Sequence, residues 1–99
     1  MLVITGTVRI PAGSLSRVRP TMQVMVEASR AEDGCIHYSY AEDVFESGLI
    51  WVSESWRDAE SLAAHAQTPH MAEWRASWPA LGIHDRNLTV YDVSDVRPL

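Results

Sequence analysis

The hydrophobic period of this chain switches repeatedly between two and 3.6 residues, and the order of the switches limits the fold more than any other feature. From Leu2 to Ile10 the period is two. Leu2, Ile4, Val8 and Ile10 share one face with Gly6, and Val3, Thr5, Thr7 and Arg9 share the other. That alternation, with its β-branched content, predicts a strand. Pro11-Ala12-Gly13 stops it, and Ser14 offers a helix N-cap. Leu15, Val18, Met22, Met25, Val26 and Ser29 then recur at helical spacing and predict a helix from about Leu15 to Ala31. Pro20 lies inside it. An interior proline removes a hydrogen bond and crowds the preceding turn. The helix therefore either kinks at Pro20 or has its main body begin there. Gly34 closes the segment.

Cys35 to Glu42 reads as a second strand, with Ile36, Tyr38 and Tyr40 on one face and Cys35, His37 and Ser39 on the other. A turn over Glu42–Gly48 leads to a third strand, Leu49 to Trp56, in which Ile50, Val52, Glu54 and Trp56 share a face. The short link makes these two strands a hairpin. Arg57-Asp58-Ala59-Glu60 opens a helix with acidic residues in its first turn, where the helix dipole favours them. It runs to about Gln67. Thr68-Pro69 breaks it and starts a short helix from about Pro69 to Ser77, with Pro69 at a first-turn position and Pro79 as its stop. Asn87 to Val96 is the last strand. The order β-α-β-β-α-β predicts an α+β fold, a ferredoxin-like split antiparallel sheet with its helices on one face. The other face then needs a partner, and a homodimer is expected.

At 99 residues the chain is one domain, spanning 1–99. A core of that size is small, so four Trp and three Tyr are a heavy aromatic load that a dimer interface would help bury. The formal net charge is −5, and the eight basic residues are all Arg, scattered along the chain. No basic patch forms, so no nucleic-acid partner is expected. The single cysteine, Cys35, permits no intrachain disulfide. Met1-Leu2-Val3-Ile4-Thr5 lacks the basic and apolar regions of a signal peptide. No stretch is long enough for a membrane span. A cytoplasmic protein without membrane contact is the expectation.

Several residues have the chemistry of a site. Glu54 stands on the strand face of Ile50, Val52 and Trp56, where burial would raise its pKa and suit it to proton transfer. It would otherwise be a surface or structural carboxylate. His65 shares a helical side with Leu62, as either a core residue or a proton shuttle. His70 follows Pro69, where its ring can serve the helix junction or touch a ligand. Trp74 and Trp78 are four apart and share a helical face. Tyr38, Trp56 and Trp74 are flat walls for an aromatic ligand if they are not plain core. Trp51 faces away from Glu54 and suits an interface. Cys35 and His37, two apart on a strand, would share a face, although an inert buried thiol is the commoner outcome. The five-residue spacing of His65 and His70 across a proline does not match a helical His-x-x-x-His pair. No metal site is expected. The glycines are isolated, so no dinucleotide fingerprint exists.

The run Asp33-Gly34-Cys35-Ile36-His37-Tyr38, followed by Glu54-Ser55-Trp56, Ala64-His65 and Pro69-His70, resembles the signature of the antibiotic biosynthesis monooxygenase family. The resemblance spans about Val3 to Tyr91. It implies a dimeric α+β barrel, in which two sheets pack through their helix-free faces. It also implies a cofactor-independent monooxygenase acting with O2 on a small aromatic phenol or quinol. Glu54 and His65 would be the catalytic base or proton shuttle. Tyr38, Trp56, His70 and Trp74 would contact the substrate, with no flavin, haem or metal. Haem-degrading relatives use a strand-one Asn, a helical Trp and a later helical His. This chain has Thr5 or Gly6, His65 and Arg75 there, which argues against haem chemistry. The alternative is a metabolite-binding or isomerase-type barrel, for which Arg9, Arg57 and Arg75 are the available phosphate partners.

Overall fold

The computed structural model describes residues 1–99. Its elements are β1 (Leu2–Arg9), α1 (Leu15–Arg30), β2 (Cys35–Glu42), β3 (Leu49–Trp56), α2 (Ala59–Ala66), α3 (Pro69–Leu81) and β4 (His84–Asp92). The four strands form one antiparallel sheet in the order β2-β3-β1-β4. The helices cover one face, as the element order predicts. Ile4, Val8, Tyr38, Ile50, Val52 and Trp56 bury against Val18, Met22, Met25, Met71 and Trp74. The alternation in β3 is direct: Ile50, Val52, Glu54 and Trp56 are buried, whereas Trp51 on the helix-free face is 49% exposed.

Local structure departs from the sequence expectation at four places. α1 runs unbroken through Pro20. Pro20 and Ser16, the residue whose carbonyl loses its partner, are both exposed, so water can take that carbonyl. α3 likewise passes Pro79 with exposed Arg75 four residues back, and runs to Leu81. What ends it is Gly82, in the left-handed region at φ 73°. A Cβ there would also sit 2.7 Å from Pro11 Cγ. The last strand begins at His84 and stops at Asp92, which pairs with Leu2 at the start of β1; past it the Val93 N–H still donates to the Met1 carbonyl at 2.9 Å. In β2 the register slips between Cys35 and His37. The extra residue turns Ile36 outward, 58% exposed, while Tyr38 faces the core. Cys35 packs partly against that core, and exposed His37 does not share its environment.

The turn between α1 and β2 is drawn against α2. Gly34 sits at φ 84°, and any side chain there would collide with Ser61. Arg57 grips Asp33 with two guanidinium nitrogens at 3.3 and 3.2 Å. Asp58 caps α2, accepting from the Ser61 backbone N–H at 2.8 Å and from its hydroxyl at 2.7 Å. Those Ser61 bonds hold the Asp58 carboxyl down at about 2. The turn that carries Glu32 is thereby fixed beside the helix that carries His65.

Candidate functional site

A cavity of about 420 Å³ opens between the inner sheet face and α2 and α3. Tyr38, Tyr40, Trp74 and Trp78 supply aromatic wall, with Ile4, Leu62, Met71 and Leu88 around them. Glu54 and His65 are its deep polar groups, each 4% exposed. Arg75 and Arg86 line it as well, both on exposed positions. A separate groove of about 370 Å³ lies between α1 and β2, lined in part by Arg19, Met22, Arg30 and Glu42. It contains no buried carboxylate or histidine.

Strand alternation puts Glu54 into the cavity. Its Oε1 accepts one hydrogen bond, from Trp56 Nε1 at 2.9 Å. Burial pushes the Glu54 carboxyl above the ordinary carboxylate range, and the Trp56 N–H and nearby His65 only partly oppose it. Such a group exchanges protons more readily near neutral pH than an exposed glutamate does.

His65 lies in the last turn of α2 among aromatic rings. Its ring centroid is 4.6 Å from Trp56 and 5.3 Å from Tyr38. Its Nδ1 lies 2.6 Å from Glu32 Oε2. His70, in the first turn of α3, brings Nε2 to 2.9 Å from the same oxygen. Thr68 holds the junction between the two helices. Its Oγ1 donates to the His65 carbonyl at 2.8 Å and accepts from the Met71 N–H at 3.3 Å. An ionised carboxylate only accepts, so a hydrogen on each facing nitrogen would satisfy both contacts. His65 Nε2 takes no part in the contact with Glu32, and the residue lines the cavity.

Glu32, His65 and His70 have their donor atoms within 4.8 Å of one another. Two imidazoles and a carboxylate also make a transition-metal donor set. Here, however, both N···O separations are hydrogen-bond lengths. A metal would take the place of both shared hydrogens and hold the paired nitrogen and oxygen atoms somewhat farther apart. The geometry is that of a satisfied hydrogen-bond cluster.

The expected site residues divide into two groups. Glu54, His65, Tyr38 and Trp74 line one cavity. Trp56 is fully buried and stands behind Glu54 as its donor. His70 turns its Nε2 to Glu32 and lines a different groove, between α1 and α3. The Tyr38 hydroxyl is buried without a hydrogen-bond partner, and burial raises its pKa far above the usual tyrosine value. Burial also raises the Cys35 thiol, which removes thiolate character rather than adding it. The residue that sequence reasoning missed is Glu32. One signal was available: an acidic residue just past the C-terminus of α1 opposes the helix dipole, and local conflicts of that kind often mark functional positions.

The sequence profile of antibiotic biosynthesis monooxygenases matches residues 1–77. An uncharacterized Synechocystis protein is 29% identical over 98 residues, covering 99% of this chain and 67% of its own length. YcnE of Bacillus subtilis, described as a candidate monooxygenase, is 27% identical, covering 71% of this chain and 74% of its own. The crystal structure of a candidate antibiotic biosynthesis monooxygenase from Deinococcus radiodurans superposes with a TM-score of 0.90. That match covers 100% of this chain and 98% of the other at 23% identity, a likeness of fold.

Proposed function

This chain belongs to the antibiotic biosynthesis monooxygenase family, and from that premise we propose that it is a cofactor-independent monooxygenase oxidising a small aromatic phenol or quinol with O2. One observation carries the reading: a buried carboxylate with a raised pKa, Glu54, and an imidazole held by Glu32, His65, share an aromatic-walled cavity. In the proposed reaction His65 Nε2 or Glu54 takes a proton from the substrate. The resulting carbanion reduces O2, and a carbon–oxygen bond forms to give a peroxide. Return of a proton releases water and leaves a ketone or quinone. For an anthrone probe the balance is anthrone plus O2 giving anthraquinone plus water. The substrate supplies the electrons, so the protein's work is to stabilise the anion and exclude water. Tyr38 and Trp74 would flank the ring.

The cavity also carries Arg75 and Arg86, which would suit a phosphorylated metabolite in a non-oxygenase barrel. Oxygen uptake with a panel of quinols and anthrones separates the two readings from thermal-shift screening with phosphorylated metabolites. Quinol-dependent uptake supports the oxygenase. Stabilisation by phosphorylated compounds with no uptake overturns it.

The functional unit is proposed to be a homodimer joined through the helix-free sheet face. Trp51 and Tyr91 are 49% and 51% exposed there, and a standard interface buries about 1,600 Å² in total. Sedimentation at micromolar concentration is expected to give a dimer, and Trp51→Asp a shift toward monomer. A stable wild-type monomer would contradict it.

A further inference from the structure

The two histidines of the helix junction meet one oxygen of Glu32, and this contact lies outside the cavity that holds the proposed chemistry. We infer that Glu32 is a positioning residue, which fixes His65 as the Nδ1–H tautomer so that Nε2 is the basic nitrogen, with His70 as the clamp that pins Glu32.

Three observations carry it. First, the contacts are short and converge: His65 Nδ1 at 2.6 Å and His70 Nε2 at 2.9 Å from the same Oε2. A carboxylate oxygen has room for two donors, so both bonds form at once. Second, the cluster is shielded. The His65, Glu32 and His70 side chains are 5%, 13% and 19% exposed, so water does not readily replace either bond. Third, the backbone holds each partner. Thr68 joins the His65 carbonyl to the start of α3, and the Arg57–Asp33 pair and Gly34 hold the Glu32 turn against α2.

The consequence is chemical. A free histidine side chain favours hydrogen on Nε2, which would turn a donor rather than a base toward the cavity. Glu32 reverses that preference. When His65 takes the substrate proton at Nε2, both ring nitrogens are protonated and Glu32 faces the new positive charge. No proton need leave the pair until the peroxide takes it back. His70 does not touch the substrate in this arrangement. Its Nε2–H restrains the carboxylate from the far side, and its ring borders the groove between α1 and α3 with Pro20, Thr21 and Glu73. This is the division of labour of a hydrogen-bonded orienter, base and substrate.

The catalytic half of the inference rests on the proposed oxygenase reading, whereas the tautomer half does not. The test is therefore long-range proton–nitrogen correlation NMR of the imidazoles in 15N-labelled full-length protein. It is run at pH about 8.5, above the ordinary imidazole value, with single His→Ala variants for assignment. Wild type is expected to show His65 protonated on Nδ1 alone. Glu32→Ala should move His65 toward the Nε2–H form, and Glu32→Gln, which keeps an acceptor oxygen, should hold the native tautomer. With an anthrone probe, Glu32→Ala should lower kcat by about 10²-fold or more, with KM little changed, as loss of general-base function does. Glu32→Gln should fall between, having lost the charge that faces the imidazolium. An Nε2–H form in wild type overturns the inference, as does an unaltered tautomer in a folded Glu32→Ala protein. Native kcat in a variant whose tautomer has switched overturns the catalytic half. Should wild type oxidise no probe, the oxygenase reading fails, and the spectra alone decide the role of Glu32.

Discussion

The cavity floor and the helix junction beside it each hold a shielded carboxylate, and each meets its burial differently. On the floor, Glu54 is 4% exposed and accepts one hydrogen bond, from the neutral indole of Trp56. At the junction, the Glu32 side chain is 13% exposed and accepts from two imidazoles. One neutral bond does not replace the hydration of an anion, so burial dominates at Glu54 and raises its pKa. Two converging donors, either able to carry positive charge, suit an anion that stays put. In the proposed reading the floor carboxylate exchanges a proton and the junction carboxylate holds a shape. Groups held against their preference are common at functional sites, and stability is lost there for activity's sake.

Deleting each charge in turn is the sharpest way to break that contrast, because the two changes should have opposite signs. Glu32→Ala removes two bonds to a charged group, each worth about 1.5–3 kcal/mol. Urea unfolding should show a loss of about 3 kcal/mol. A loss below about 1 kcal/mol would mean that the junction is not a tie. Trp56→Phe keeps most of the ring volume but strips Glu54 of its donor. That should cost about 1–3 kcal/mol, the range for a buried acceptor left unsatisfied, and an unchanged midpoint would show that water reaches Glu54. The smallest effect is the most diagnostic in sign. The folded-state pKa of Glu54 lies above its unfolded value, so its favourable contribution is present below the ordinary carboxylate range. It is lost as pH rises through the folded pKa. Glu54→Gln does not titrate and can still accept from Trp56. The variant should therefore melt higher than wild type at neutral pH, with the difference shrinking toward pH about 4. A variant that melts lower at pH 7 would place Glu54 among the stabilising residues and erase the contrast.

How far the sequence revealed this arrangement follows the same division. Glu54 was legible because a strand has a two-residue period, and Ile50, Val52 and Trp56 name the buried face without reference to the rest of the chain. His65 was legible through its helical neighbour Leu62 and the Ala64-His65 pair. The pairing of Glu32 with His65 and His70 spans 33 and 38 residues. No local period reports such a contact, and spacing on one helix is the wrong question when the third partner sits in a turn after another helix. The slip at Cys35–His37 was hidden for a related reason: an unbroken alternation looks the same with or without an extra residue. Pro20 and Pro79 misled in the opposite direction. Each is a local breaker, yet both lie on the solvent side of helices whose other face is held by Met22, Met25, Met71 and Trp74. Packing then outweighs the lost hydrogen bond.

The central claim is that Glu54 and His65 together move the substrate proton in a reaction that needs no added redox group. Its most direct test is the initial rate of oxygen consumption by chelator-treated, metal-free protein with an anthrone probe, compared between wild type and the Glu54→Gln/His65→Ala double variant. The account predicts that treated wild type keeps its full rate. It also predicts that the double variant, still folded, loses about 10²–10⁴-fold, the share a positioned acid–base group contributes. Activity abolished by the chelator, or a double variant that turns over as wild type does, would contradict it.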